Sequence, residues 1–161
     1  MKITKLSDGE QDLIMLHFTK ACLKYAKKNK KTFHEVIIQD VFPEEAKTEY
    51  SEYICKRIQA LKYKGYINGI VELNYKAMYD EDANEIGYEN DLDCTECIFD
   101  NIKINASGRK LVMRSIFKKV SKEFIEASEQ FIKKVASIAL QESLKLIISS
   151  GIKALWVCFV A

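Results

Sequence analysis

Tyr50-Ser51-Glu52-Tyr53-Ile54-Cys55-Lys56-Arg57-Ile58-Gln59-Ala60-Leu61-Lys62-Tyr63-Lys64-Gly65-Tyr66-Ile67-Asn68-Gly69-Ile70-Val71-Glu72-Leu73 changes its hydrophobic period partway along. Tyr50, Tyr53, Ile54, Ile58 and Leu61 fall on one face of a helix. Lys64-Gly65 stops it, because glycine enters the left-handed conformation without a Cβ penalty. The β-branched and aromatic content of 66–73 then predicts a strand, with Asn68-Gly69 marking a bend or bulge.

Upstream, Leu13, Ile14, Leu16, Phe18, Ala21, Cys22, Tyr25 and Ala26 recur at helical spacing from Ser7 to about Lys28. Thr32-Phe33-His34-Glu35 has the form of a capping box and predicts a short second helix to about Val41. Phe42-Pro43 breaks it, since proline lacks the backbone donor. Downstream, Asn74 to Glu96 reads as a long polar excursion, and Cys97 to Ile104 as the strand that returns from it. After Ala106-Ser107-Gly108, apolar residues from Leu111 to Val135 run at helical spacing and predict a long helix or helical pair.

The order helix, short helix, helix, strand, loop, strand is that of a winged helix-turn-helix. Two strings carry a closer resemblance. Ile58-Gln59-Ala60-Leu61-Lys62-Tyr63-Lys64-Gly65-Tyr66-Ile67 resembles the join between a third helix and its wing, and Ile102-Lys103-Ile104-Asn105-Ala106-Ser107-Gly108-Arg109-Lys110-Leu111 resembles the exit from one. Over residues 8 to 112 the chain resembles the YjcQ-type winged-helix proteins of low-GC Gram-positive bacteria and their phages. The resemblance implies a fold and no activity. The expected architecture is therefore mainly α with a small β-wing: a winged helix-turn-helix domain over 1–105, followed by a long helical C-terminal extension over 106–161.

In such a domain the N-terminal part of the third helix enters the major groove, which makes Lys47, Thr48, Tyr50, Ser51, Lys56 and Arg57 the candidate DNA-binding residues. Arg57 has the fork that reads guanine or clamps phosphate; the alternative is a solvated helix face. Further cations lie at Lys27, Lys28, Lys30 and Lys31 and along Arg109, Lys110, Arg114, Lys118, Lys119 and Lys122.

Charge is unevenly placed. The chain carries 25 Lys and Arg against 23 Asp and Glu, yet Asp80 to Glu96 holds eight acidic residues and no basic one. Phosphates would repel such a wing. A second reading follows, in which Asp80, Glu81, Asp82, Glu85, Glu89, Asp91 and Asp93 imitate nucleic-acid charge and occupy a basic protein partner, as an anti-defence or host-takeover factor of a phage or mobile element would.

The composition and motifs speak against an enzyme: there is no Gly-rich phosphate loop, nucleophile elbow or paired His motif, and only two histidines. Cys94-Thr95-Glu96-Cys97 has the spacing of half a zinc site but lacks companion ligands, so neither metal nor cofactor is expected. Five scattered cysteines and an N-terminal stretch without an apolar leader core predict free thiols in a reducing cytoplasm.

Residues 135 to 161 are strongly apolar, and Ile148, Ile152, Leu155, Trp156 and Phe159 are the candidate oligomerisation residues of a homodimer. Other covers for the tail are the protein's own first helix and a membrane surface. A membrane span is disfavoured, because Lys153 interrupts the segment. The expected function is that of a non-enzymatic regulator or accessory protein that binds double-stranded DNA and self-associates, with the protein-binding factor and a small membrane-associated effector as alternatives.

Overall fold

The computed structural model describes residues 1–41, 49–89, 96–116, 121–135 and 140–141. A 3-10 turn at Ile3–Lys5 precedes helix α1, Asp8–Asn29. Ser7 caps α1: its hydroxyl accepts from the Glu10 N–H, and the Glu10 carboxylate accepts from the Ser7 N–H. Thr32 and Glu35 build the same reciprocal cap on helix α2, Phe33–Val36, which runs on as a π-helical turn at Ile37–Val41. Helix α3, Glu49–Tyr63, ends at Gly65, whose φ of 74° is the left-handed conformation expected there. Phe42-Pro43 lies outside the described residues.

Two antiparallel ladders follow. Strand β1, Ile67–Leu73, pairs with β4, Cys97–Ile104, while β2, Ala77–Tyr79, pairs with β3, Glu85–Tyr88. The second ladder lies inside the stretch that the sequence presents as a polar excursion, so that reading is corrected. Its strands are three and four residues long, too short for alternation to stand out from the acidic residues around them. The bend expected at Asn68-Gly69 is present as a register shift between Asn68 and Ile70. One residue of β1 there faces two of β4, with Gly69 at φ 121° and Asn101 at φ 50°. The shift changes the phase of β4, so that Cys97, Phe99 and Ile102 all face inward.

Two helices follow β4 among the described residues before position 136, α4 at Ala106–Ile116 and α5 at Lys122–Val135. Among the described residues the protein is thus mixed and mainly helical, with two small antiparallel sheets of two strands each. A single core joins Phe18 and Cys22 of α1, Phe33 and Val36 of α2, Ile54 and Ile58 of α3, Val71 of β1, Phe99 of β4, Val112 of α4 and Phe131 of α5. The Phe18 and Phe131 rings meet edge to face at 5.4 Å, as do Phe33 and Phe99 at 5.6 Å. Hydrophobic burial therefore runs across the boundary drawn between residues 105 and 106.

The cysteines differ from expectation at one pair. Cys55 on α3 and Cys97 on β4, both fully buried, form a disulfide with Cα atoms 6.4 Å apart. Cys22 is a free, buried thiol. No helix among the described residues is long and apolar enough to cross a membrane.

Candidate functional site

The phase of α3 is set by its buried stripe, Ile54, Cys55, Ile58 and Leu61. Ser51 stands one turn before Ile54 and Cys55, and it is fully buried. Tyr50 is half-buried, its ring 6.3 Å from that of Phe131 on α5. These two candidate DNA-reading residues therefore face the interior. Lys47 and Thr48 lie outside the described residues.

Arg57 turns away from solvent toward α1. Its Nη1 donates to Asp8 Oδ1 at 2.6 Å and to Asp12 Oδ1 at 3.4 Å, with its side chain 13% exposed. Lys64 closes the cluster by donating to both aspartates. Asp12 is itself buried, so the two cations keep its charge from standing alone in the interior. Hydrogen bonds from Lys64 and then Arg57 hold the Asp8 carboxyl down to about 2, from an ordinary 3.8. Because the folded value is the lower one, this contribution is present above pH 3.8 and lost as pH falls toward 2.

Arg57 thus fastens α3 to α1. Arg57→Met is expected to lower stability by about 2 kcal/mol, the range of a charged hydrogen bond, as read from urea unfolding. A variant as stable as the wild type contradicts the pairing.

Among the described candidates Lys56 remains outside, paired along the helix with Glu52. The same outward face carries Gln59, half-buried, and Tyr63, which is 80% exposed. Gln59 and Tyr63 are absent from the sequence-derived set. Their spacing of three and seven residues from Lys56 is the signal that finds them once the inward phase is fixed.

The acidic set divides similarly. Asp80, Glu81, Asp82 and Glu85 are exposed and Glu89 half-buried, whereas Asp91 and Asp93 lie outside the described residues. Asp80 closes the β2–β3 turn by accepting from the backbone N–H groups of Asn84 at 2.8 Å and Asp82 at 3.0 Å. The Asn84 N–H, foremost among these bonds, holds the Asp80 carboxyl below its ordinary range, so the tip stays charged. Interleaved with these acids are exposed Tyr75, Met78, Tyr79, Ile86 and Tyr88, which sequence reasoning missed.

Of the other cations, Lys31 pairs with Asp40 at 2.8 Å, while Lys27, Lys28 and Lys30 are exposed at the end of α1. Arg109, Lys110 and Arg114 are exposed on α4, and Lys122 at the start of α5. Lys118 and Lys119 fall outside the described residues, as do Ile148, Ile152, Leu155, Trp156 and Phe159. Cys94 is also outside them, and the sulfur of Cys97 is held in the disulfide. Among the described residues no three His, Cys, Asp or Glu side chains converge on a metal-sized site. Comparisons of the chain with models of protein families, with curated proteins and with solved structures find no match.

Proposed function

We propose that this chain is a winged-helix protein that binds duplex DNA, with α3 laid in the major groove and the β1–β4 ladder as the stem of its wing. The observation that carries the reading is the outward face of α3: Lys56, Gln59 and Tyr63 lie together on the side opposite the core stripe. The order α1, α2, α3, β1, β4 supports it, as does the resemblance of residues 8 to 112 to the YjcQ-type proteins.

The chemistry of the face suits DNA. An amide such as that of Gln59 pairs bidentately with the N6 and N7 of adenine, and an ammonium such as that of Lys56 reaches guanine O6 and N7. The Tyr63 hydroxyl suits a phosphate. Arg57 and Lys64 hold this helix on α1 in place of reading bases. The acidic β2–β3 hairpin is kept away from phosphates by its own charge.

Replacement of Lys56 and Gln59 by alanine is expected to weaken duplex binding at least about 10-fold, since each good base contact contributes roughly 1–3 kcal/mol. Both side chains lie off the core stripe, so the fold, checked by circular dichroism, should be retained. Fluorescence anisotropy with a labelled duplex reads the effect. Unchanged affinity in a folded double variant counts against α3 as the reading helix.

A further inference from the structure

Nine large hydrophobic side chains are exposed among the described residues; Met78, Tyr79, Ile86 and Tyr88 belong to the β2–β3 hairpin, and Tyr75 lies two residues before it. Ile70 and Ile98 continue the exposure onto the outer face of the adjoining ladder. A two-stranded hairpin is marginal in water by itself, and a cluster of this kind is the mark of a surface that something covers. Its chemistry is apolar and aromatic in an acidic setting, with Asp80, Glu81, Asp82 and Glu85 exposed between the rings.

The complementary surface is on the same molecule. Arg109, Lys110, Met113 and Arg114 stand at positions i, i+1, i+4 and i+5 of α4, so they share one helical face. All four are exposed, and Met113 is 56% exposed. This face is cationic around an apolar centre, the inverse of the hairpin. Within one chain the two do not cover each other, since both are exposed. They also sit at opposite ends of the β1–β4 ladder: the hairpin leaves from the Leu73–Cys97 pair, and α4 begins beyond the Ile67–Ile104 pair. At about 3.3 Å per residue the ladder separates them by roughly 20 Å.

We infer that the β2–β3 hairpin docks on α4 of a second copy of this chain. Two copies related by a two-fold axis place each hairpin on the other's α4, which closes a dimer with two identical contacts. Tyr79 and Ile86 pack against Met113 and the arginine stems, the Arg114 guanidinium lies over a tyrosine face while that of Arg109 stays on Ile104 O at 2.7 Å, and the carboxylates pair with Lys110 and Arg114. The contact is independent of DNA, so its test stands apart from that of the proposed DNA face.

Sedimentation velocity of the full chain, without DNA and at low salt, is the test. The wild type is expected to be a dimer. A hairpin variant, Asp82→Lys with Glu85→Lys, and an α4 variant, Lys110→Glu with Arg114→Glu, should each dissociate with affinity weakened at least about 10-fold. Mixed in equal amounts the two should re-form a dimer, because both reciprocal contacts then join opposite charges. All altered residues are exposed, and thermal melts check that each variant folds. A monomeric wild type, a dimer unaffected by either variant, or two folded variants that fail to pair would each overturn the inference.

Discussion

Gly108→Ala is expected to lower the stability of the protein by about 3 kcal/mol, the upper range for forcing an added group into a packed site. A Cβ at Gly108 would lie 2.3 Å from the backbone oxygen of Tyr66 and 2.8 Å from a methyl of Ile104. The first of these cannot swing aside as a side-chain end would. The joint there is built around Asn105. Its backbone N–H donates to Tyr66 O at 3.1 Å and its amide nitrogen to Gly65 O at 2.6 Å, while its Oδ1 accepts from the Gly108 N–H at 3.0 Å. One residue thus caps α4 and ties it to the end of α3 and the start of β1. Gly9→Ala is the natural control, because a Cβ at that position of α1 meets nothing within 4 Å. It should leave stability unchanged or raise it by about 0.5 kcal/mol. Urea unfolding separates the two, and a Gly108→Ala protein as stable as the wild type would contradict the joint.

Reduction of the Cys55–Cys97 bond should cost still more. The cysteines are 42 residues apart in sequence, and releasing a loop of that length from the denatured chain corresponds to about 4 kcal/mol in chain-entropy terms. The loop spans β1 and the β2–β3 hairpin, so the bond ties the base of that hairpin to α3. Unfolding followed with and without a thiol reductant reads the difference, and peptide mapping of the unreduced protein identifies the linkage. Equal stability in the two conditions, or a map in which Cys55 and Cys97 carry free thiols, would contradict this part of the structure.

What the sequence reveals follows the range of the interaction concerned. The Thr32 capping box, the stop at Gly65, the bulge beside Gly69 and the bounds of β4 all rest on contacts among near neighbours, and each is legible. Arg57 is a different case, because its partners Asp8 and Asp12 lie 49 and 45 residues away. A charge on a helix looks the same in sequence whether it meets solvent, phosphate or a buried carboxylate. The inward turn of Ser51 follows from a shorter-range pattern, since it lies two turns before Ile58 on the buried stripe. The β2–β3 hairpin has no such signal, because its aromatics are exposed and mixed with acids and burial leaves no period-2 pattern to read. The Cys55–Cys97 pairing has no local signature at all.

The proposed DNA-binding role of α3 rests on a helix held on α1 by the Arg57 and Lys64 pairs to buried Asp12, with Lys56, Gln59 and Tyr63 on its outward face. Its most direct test is duplex-DNA binding by the wild-type chain, followed by fluorescence anisotropy from about 50 to 200 mM salt, over which a protein making several phosphate contacts loses affinity steeply. Binding that weakens along that series, and is lost from a folded Lys56→Ala, Gln59→Ala protein, is the expected result. No binding at the lowest salt would contradict the account.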